Sequence, residues 1–322
     1  MIKKSIAALI KQEEKRQEHT LNLIASENYV SHAVRDAMGS VLTNKYSEGY
    51  PGARYYSGNS IIDVVETRAR TGALKLFNLP TDAWGVNVQP YSGSPANFAV
   101  YTALVPPGGT ILSLELNMGG HLTHGHSVSA TSKFWKFIHY QVDATSKLLD
   151  YAAIEAIAVR ERPHMIVAGY SAYARAVDFQ AFKHIADKAG AILFADFSHI
   201  AGLVAGGVHA SPFPHADVAM TTIHKTLRGP RGAIIIAKKT YMPAIDKAVF
   251  PGLQGGPHNH QTAAIAVALE EATKPAFRVY AKQVVANARA LASALQAHGW
   301  EVVTGGTDTH LFLVNLDAQG ID

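Results

Sequence analysis

The central part of the chain alternates short apolar runs with amphipathic ones, and this alternation constrains the fold more than any other feature. Between residues 85 and 239 the apolar runs are GVNVQPY, TILSLEL, HMIVAGYS, AILFADFS, ADVAMTTIH and GAIIIAKK. Helical sequences such as DYAAIEAIAVRER and DFQAFKHIADKAG separate several of them, which predicts a mostly parallel sheet. MIVAGY and AIIIA are apolar without alternation, as in strands covered by helices on both faces. We therefore predict an α/β fold.

The sequences on either side of this region have a different character. LIASENYVSHAVRDAMGS is expected to be a helix that leads into an irregular arm, TNKYSEGYPGARYYSGNS, and a loop of that length is usually functional. After Pro257, two helical stretches precede the strand candidates EVVTG and HLFLVNL. We predict an N-terminal helix and arm over residues 1–59, a large domain over 60–275 and the start of a small domain over 276–322.

Composition excludes several kinds of site and partner. The 322 residues include no cysteine, which excludes disulfides and thiolate metal sites and permits a reducing compartment. The N-terminal apolar segment IAALI is too short for a signal-peptide core, and no apolar run approaches the roughly 18 residues of a membrane span. The net charge of +4 is dispersed along the chain and fits an anionic small ligand as well as nucleic acid. We expect a cytoplasmic protein with no membrane or nucleic-acid partner.

A serine- and glycine-rich turn, YSGSPANFAV, follows the first strand candidate. We expect Pro95 at the first helical position, with Ser94 as the N-cap residue. Free backbone N–H groups, the hydroxyls of Ser92 and Ser94 and the helix dipole would then converge beside Gly93. A phosphate can be bound in this way without a lysine. An ordinary capped helix is the alternative interpretation of the segment.

Two ionisable side chains are predicted at the carboxyl ends of buried strands. Asp196 ends the run AILFAD, and Lys225 follows ADVAMTTIH, a strand that we expect close to Asp196 in the same sheet. Ligands of open α/β sheets bind outside such strand ends, and a half-buried carboxylate there needs a cationic partner. Apolar surroundings would lower the pKa of Lys225 and favour Schiff-base formation. A structural aspartate and a solvated lysine are the alternatives.

The stretch GGHLTHGH contains three histidines, His121, His124 and His126. Their spacing lacks a clear carboxylate or cysteine partner and matches common zinc sites poorly, so we predict no metal. Glycine-flanked histidines at a strand exit could instead pack against a planar ligand, or simply belong to a loop. Pyridoxal 5'-phosphate requires a phosphate site, a carboxylate for its pyridine nitrogen, and an amine for its aldehyde, and a histidine can pack against the face of its ring. The candidate residues together meet these requirements.

Eight segments indicate one particular family among the proteins that use this cofactor. They are LIASENYVS, LTNKYSEGYPGARYYSG, NVQPYSGSPANFAVYTAL, GGHLTHGH, LFADFSHIAGLVAGG, TTIHKTLRGPRG, VFPGLQGGP and GGTDTHLFLV. Together they resemble serine hydroxymethyltransferase, a pyridoxal phosphate enzyme of the aspartate-aminotransferase type (fold type I). The resemblance implies reversible transfer of the serine hydroxymethyl carbon to tetrahydrofolate, which gives glycine and 5,10-methylenetetrahydrofolate. It also implies a homodimer or a tetramer.

The resemblance assigns roles to individual residues. Lys225 would bind the cofactor covalently, Asp196 would pair with the pyridine nitrogen, His224 would orient the site and Glu48 would move a proton. The other cofactor contacts would be Ser92, Gly93, Ser94, His121, Ser171, His199 and Thr222, with Tyr46 and Gly256 added across a dimer interface. The substrate contacts would be Ser26, Glu48, Tyr56 and Arg231, with Leu116, Gly120, His121 and Leu122 on the folate side.

Two features depart from the family pattern. The chain has Arg231, Gly232 and Ala233 where the family has RGG, a change that we expect to be tolerated. Family members also continue well beyond HLFLVNL, through a region that supplies the arginine for the substrate carboxylate. We therefore expect the chain as given to bind the cofactor but to show weak or no turnover. The alternative functions are a folate-independent aldolase acting on threonine or other 3-hydroxy amino acids, and a non-catalytic protein that binds pyridoxal phosphate or RNA.

Overall fold

The computed structural model describes residues 5–321, so Met1 to Lys4 and Asp322 of the predicted terminal regions lie outside the described residues. The strands are β1 (Gly49–Tyr50), β2 (Ala53–Arg54), β3 (Trp84–Asn87), β4 (Thr110–Leu114), β5 (Lys136–Tyr140), β6 (Met165–Gly169), β7 (Ile192–Asp196), β8 (Val218–Thr222), β9 (Ala233–Lys238), β10 (Glu301–Val302) and β11 (Val314–Asn315). The helices are α1 (Ile6–Glu18), α2 (His32–Met38), α3 (Ser60–Leu76), α4 (Gly93–Leu104), α5 (Thr131–Phe134), α6 (Tyr151–Glu161), α7 (Phe179–Ala189), α8 (Ala201–Ala205), α9 (Met242–Lys247), α10 (Asn259–Ala272) and α11 (Pro275–Ala297).

Seven of these strands form the main sheet, in the order β3-β9-β8-β7-β6-β4-β5. Strands β4 to β8 pair in parallel, whereas β9 is antiparallel to both β8 and β3. The predicted α/β fold with a mostly parallel sheet is therefore confirmed. Because the parallel strands share one direction, the carboxyl ends of β6, β7 and β8 meet at a single edge of the sheet.

Helices cover both faces of the sheet, which explains why its strand sequences do not alternate. All five residues of β6 are buried. Ile166 packs in the cluster that contains Phe182 of α7, whereas the next residue, Val167, packs in the cluster that contains Tyr101 of α4. Successive side chains of a strand point to opposite faces. A strand with apolar neighbours on both sides must therefore be apolar throughout.

Local signals in the sequence position the crossover helices. Asp178 is the N-cap residue of α7 and accepts a hydrogen bond from the Ala181 N–H at 2.9 Å. The same helix ends at Gly190, whose φ of +69° is favourable for glycine. Asp150 caps α6 in the same manner. Each cap fixes where a helix begins, and thereby how the preceding loop leaves the edge of the sheet.

The region before residue 60 contains less helix than the sequence predicts. The helix expected across LIASENYVSHAVRDAMGS begins only at His32, because Ser31 caps α2 by accepting a hydrogen bond from the Val34 N–H. The preceding residues are held in a non-helical path. Asn28 donates hydrogen bonds to the Lys225 carbonyl at 3.0 Å and to the Tyr280 hydroxyl at 2.8 Å.

The strand candidates at the other end of the chain are also shorter than expected. β10 and β11 are two residues each and pair with one another, apart from the main sheet. Thr304, Gly305 and Gly306 follow β10 with φ values of +64°, +69° and +148°, which regular strand backbone excludes. Conversely, the sequence analysis missed β5, which pairs with β4 at the edge of the main sheet.

Within residues 5–321, the structure contains no helix with the length and apolar character that crossing a membrane requires. The expected boundary at residue 275 coincides with the first residue of α11. The division into three regions stays a prediction.

Candidate active site

The carboxyl edge of the sheet contains a small cavity. In the sheet register Asp196, the last residue of β7, lies beside Gly169 of β6 and Met220 of β8. Lys225 lies in the loop that follows β8. The cavity between them is lined by Gly93, Asn97, His121, His124, Tyr170, Ser171, Asp196, Ser198, Met220, Thr222 and Lys225. Six of the residues that the sequence analysis selected are thus brought together.

Asp196 lies at the base of this cavity with three side-chain donors around its carboxylate. Asn97 Nδ2 and His124 Nε2 each donate a hydrogen bond to Oδ2 at 3.0 Å, and the Ser198 hydroxyl donates to Oδ1 at 2.6 Å. Burial alone would raise the pKa of Asp196, but the hydrogen bond from His124 and the nearby charge of Lys225 hold the pKa well below its usual value. The carboxylate therefore stays charged in a buried position.

Lys225 is partly buried beside this charge. Burial lowers the pKa of Lys225, Asp196 raises it, and Arg231 lowers it again, and the net shift is downward. A lowered pKa enlarges the fraction of neutral amine, which is the nucleophilic form of a lysine. Burial, followed by the charge of Arg231, lowers the pKa of the neighbouring His224 to about 4. His224 is not among the residues that line the cavity.

The turn expected to bind phosphate begins α4 beside the cavity, although its register differs from the prediction. The helix starts at Gly93 with Ser92 as the N-cap residue, so Ser94 is not the cap and Pro95 is the third helical residue. Pro95 still costs no hydrogen bond, because the first four N–H groups of a helix have no intrahelical acceptor. At Gly93 an added Cβ would lie 2.7 Å from the Thr222 methyl carbon, so the site requires glycine.

Two buried oxygens among the cavity residues have no hydrogen-bond partner, Thr222 Oγ1 and Asn97 Oδ1. Buried polar atoms are normally paired, and an unpaired one is costly. The Thr222 hydroxyl can donate to a ligand and Asn97 Oδ1 can accept from one, whereas the free N–H groups at the start of α4 favour an anionic group.

His121 and His124 cap a helical turn over residues 122–124 in a reciprocal manner. The Thr123 N–H donates to His121 Nδ1 at 3.2 Å, and the His121 N–H donates to His124 Nδ1 at 3.4 Å. Burial, followed by the charges of His124 and Lys225, lowers the pKa of His121 to about 4. His126, the third histidine of the motif, is not part of the cavity lining. In residues 5–321 the structure contains no group of three or more histidine, aspartate and glutamate side chains suited to a metal ion.

His199 lies on the other side of Asp196, in a second small cavity. Its Nδ1 is 3.3 Å from Nε2 of His310, and the two rings stack with centroids 5.5 Å apart. Burial lowers the pKa of His199 well below its usual value and that of His310 to about 4. Both imidazoles are therefore neutral, and at most one hydrogen bond is shared between them.

Four of the selected residues form a separate group away from Lys225. The rings of Tyr46 and Tyr56 meet edge to face at 5.7 Å, and Tyr46 carbons lie 3.0 to 3.3 Å from the position that a Cβ on Gly256 would occupy. Glu48 Oε1 lies beside Gly255. Tyr46 and Tyr56 are 58% and 51% exposed, so one side of this arm cluster (Tyr46, Glu48, Tyr56 and Gly256) faces outward.

The remaining selected residues lie around the rim. Ser26 is half-buried in the segment that Asn28 ties to the Lys225 loop. Leu116 and Gly120 precede His121 on the loop after β4, and Leu122 is 46% exposed. Arg231 is exposed on the Lys225 loop. None of these residues lines the cavity around Lys225.

The sequence analysis missed several side chains that shape the site. Asn97 and Ser198 were not selected, and His124 was considered as a metal ligand, as a residue packing against a planar ligand or as a loop residue, but not as a partner of Asp196. His124 and Asn97 reach Asp196 across 72 and 99 residues of sequence. Ser198 follows Asp196 by two positions, where a short hydroxyl side chain commonly bonds back to a local acceptor. That spacing was the one available signal.

Comparison with known proteins gives a consistent result. The family model described as serine hydroxymethyltransferase matches residues 1–322. The chain is 58% identical over 316 residues to the serine hydroxymethyltransferase of Sorangium cellulosum, covering 98% of the chain and 74% of that relative. It is 56% identical over 317 residues to that of Acidothermus cellulolyticus and 55% identical over 316 residues to that of Desulfotalea psychrophila, covering 98% of the chain and 73% of the relative in both cases. These matches favour the hydroxymethyltransferase interpretation over the aldolase and the non-catalytic alternatives.

Proposed function

The chain belongs to the serine hydroxymethyltransferase family, and from that premise we propose that it transfers the hydroxymethyl carbon of serine to tetrahydrofolate at the Lys225 cavity. The products are glycine and 5,10-methylenetetrahydrofolate, and the reaction is reversible. The meeting of Lys225, with its lowered pKa, and the charged Asp196 in one cavity is the observation that carries this proposal.

The residues present fit pyridoxal 5'-phosphate as the cofactor. Lys225 offers an amine, and Asp196 offers a carboxylate that stays charged when buried. The start of α4, with Ser92, Gly93 and Ser94, offers free N–H groups and hydroxyls for the phosphate. Thr222 Oγ1 and Asn97 Oδ1 are buried without partners, as expected where a polar ligand completes the hydrogen bonding. His121 and Ser171 line the same cavity.

When bound, pyridoxal phosphate supplies an aldehyde for amines and an aromatic ring that withdraws electrons from the substrate. Lys225 is the residue suited to hold the aldehyde, because its lowered pKa enlarges the neutral fraction of its amine. Asp196 would keep the ring nitrogen protonated, since a charged carboxylate stabilises an adjacent cation. Asn97, His124 and Ser198 keep that carboxylate in place.

We assign Glu48 to proton transfer at the serine hydroxyl and Ser26 to the amino-acid carboxylate. Leu116, Gly120, His121 and Leu122 lie on the loop after β4, and we assign them to the folate side. We assign His224, which neighbours Lys225, to orienting the site, and Arg231, whose charge lowers the pKa of Lys225, to the substrate side. We assign His199 to a contact with the phenolic oxygen of the cofactor.

We propose a homodimer in which the arm cluster of one subunit completes the site of its partner. Tyr46, Glu48, Tyr56 and Gly256 lie together but outside the Lys225 cavity of their own chain. Helix α1 has no buried residue, and Leu21 and Leu23 are 88% and 78% exposed. Apolar surface of this kind commonly marks a contact with another protein. A tetramer of two such dimers is the alternative assembly. The cytoplasmic location stays a prediction.

The first experiment is an absorbance titration of the purified chain with pyridoxal phosphate. We expect a yellow band from the lysine-bound cofactor, absent in Lys225→Ala and present in the control Lys239→Ala, which removes an exposed lysine at the end of β9. A parent chain that stays colourless would contradict the cofactor assignment.

The second experiment measures cleavage of serine with and without tetrahydrofolate. We expect product only when the folate is present, and faster product formation from serine than from threonine. Equal rates without folate would instead identify the aldolase alternative. Since we expect turnover to be weak, absorbance after addition of glycine and tetrahydrofolate tests the non-catalytic alternative, and a chain that binds the cofactor but shows no new band would support that alternative.

A further inference from the structure

A closed set of hydrogen bonds connects His121 to Asp196. Asn97 Nδ2 donates to Asp196 Oδ2 at 3.0 Å and to Thr123 Oγ1 at 2.8 Å, and Thr123 Oγ1 lies 2.7 Å from His121 Nδ1. His124 closes the set, because its Nε2 is bonded to Asp196 Oδ2 and its Nδ1 accepts from the His121 N–H. Asn97, Thr123 and His124 are each at most 5% exposed, so water does not substitute for these partners.

The direction of each bond in this set follows from Asp196. A charged carboxylate only accepts hydrogen bonds, so the Asn97 amide must turn its NH₂ group toward Asp196. The same NH₂ group donates to Thr123 Oγ1, which leaves the hydroxyl proton of Thr123 free to be donated onward. The acceptor within reach is His121 Nδ1.

A second donor acts on the same nitrogen. The backbone N–H of Thr123 points to His121 Nδ1 at 3.2 Å, and a backbone N–H can only donate. Nδ1 of His121 therefore has two donors directed at it and carries no proton. His121 is neutral because of its burial. A neutral imidazole carries one proton, which must be on Nε2.

We infer that Thr123 is a positioning residue that holds His121 as the neutral tautomer protonated at Nε2 and fixes the orientation of its ring over the cofactor cavity. Asn97 links this orientation to Asp196. One hydrogen-bond network therefore positions both His121, which is assigned to the face of the cofactor ring, and Asp196, which is assigned to the nitrogen of that ring. The placement of His121 against a cofactor rests on the proposed function, whereas the tautomer follows from the chain alone.

The test measures the histidine ¹⁵N chemical shifts of the full chain without cofactor. In the parent chain we expect His121 to be unprotonated at Nδ1 and protonated at Nε2. Thr123→Val is nearly isosteric but removes the hydroxyl donor, and it should shift the tautomer ratio about fivefold toward Nδ1–H, the effect of one lost hydrogen bond. Pyridoxal phosphate should then bind about fivefold more weakly, as measured by the same absorbance titration.

Two further variants separate positioning from general packing. Thr123→Ser retains the hydroxyl and should restore both readouts to within about twofold of the parent. Thr131→Val removes another buried hydroxyl nearby, at the start of α5, which donates to the Thr123 carbonyl and not to His121, and it should change neither readout.

Three results decide the inference. A proton on Nδ1 of His121 in the parent chain would overturn it, and so would a Thr123→Val chain with the parent tautomer ratio. If Thr123→Val does not fold, the parent shifts and the Thr123→Ser ratio remain decisive. If the tautomer depends on Thr123 as expected but pyridoxal phosphate does not bind, the positioning role stands and the proposed function fails.

Discussion

The charge on Lys225 is set by neighbours that act in opposite directions. Burial and the guanidinium of Arg231 favour the neutral amine, whereas the carboxylate of Asp196 favours the ammonium form. Of these influences, Arg231 is the one most easily removed, because its side chain is exposed on the same loop. An exposed residue thereby adjusts the reactivity of a buried one.

We expect Arg231→Gln to move the pH profile of cofactor attachment to higher pH. Attachment requires the neutral amine, so its rate rises with pH through the pKa of Lys225, and removal of Arg231 raises that pKa. At pH 7 the variant should therefore attach pyridoxal phosphate more slowly than the parent. Stopped-flow absorbance between pH 6 and pH 10 measures both profiles.

Lys239→Gln serves as the control, since it removes a surface cation at the far end of β9. Its profile should overlay that of the parent chain. A profile that moves to lower pH in Arg231→Gln would contradict the balance of charges described for Lys225.

At the level of elements, a buried arginine holds together the hairpin β1–β2 that follows Glu48. Arg54 Nη1 donates to the carbonyls of Ser47 and Gly49, the residues on either side of Glu48, at 2.8 and 2.7 Å. Its charge is neutralised by Asp63 and Glu66 of α3 at 2.8 and 2.7 Å. This guanidinium thus joins the hairpin to α3, in addition to the hydrogen bond that the Gly52 N–H donates to Asp63 at 3.0 Å.

We expect Arg54→Met to destabilise the chain by about 3 kcal/mol in urea unfolding. The side chains of Arg54 and Glu66 are 4% and 3% exposed, and the substitution leaves the buried Glu66 with hydrogen bonds from Gln89 but without its ion-pair partner. Arg68→Met, on the exposed side of the same helix, should cost less than about 0.5 kcal/mol. Similar small losses in the two variants would show that the Arg54 ion pairs do not contribute to stability.

The sequence predicts elements well where burial alone determines them. Strands β6 to β9 are apolar because both their faces are covered, and each was expected within a residue or two of its observed position. Strand β5 was missed because it lies at the edge of the sheet, where Lys136 is exposed and the next three residues are half-buried. β10 was overestimated because apolar residues do not reveal the positive φ values that end it.

The same distinction applies to the site. Asp196 and Lys225 stand out because an ionisable residue at the end of a buried strand is unusual, and that signal is local. Asn97 is part of an amphipathic helix and resembles any other polar helical residue. Its function depends on a contact 99 residues away, which only the assembled sheet brings about.

For the whole molecule, the buried histidines link folding to pH. Burial lowers the pKa of His121, His224 and His310 to about 4, whereas an unfolded histidine titrates near 6.5. Below pH 6.5 the unfolded chain binds protons that the folded chain excludes. The stability present above pH 6.5 is therefore lost as the pH falls from about 6.5 to about 4.

We expect the free energy of unfolding to fall by about 2 kcal/mol per buried histidine between pH 7 and pH 5. Urea unfolding at several pH values measures this slope. His310→Gln should make the slope shallower, whereas His19→Gln, at an exposed position after α1, should leave it unchanged. A stability that does not vary between pH 7 and pH 5 would contradict the neutral state of these histidines.

The reversed direction of β9 has a consequence for the order of folding. Parallel neighbours need a crossover connection, but β8 and β9 are antiparallel and are joined by residues 223–232 alone. The entropy lost on closing a loop grows with its length, so the turn that contains Lys225 is among the least costly to form. The contacts of Asp196 with His124 and Asn97 close loops of 72 and 99 residues. The lysine turn can therefore form from local contacts, whereas the acidic half of the cavity requires segments that are distant in the sequence to come together first.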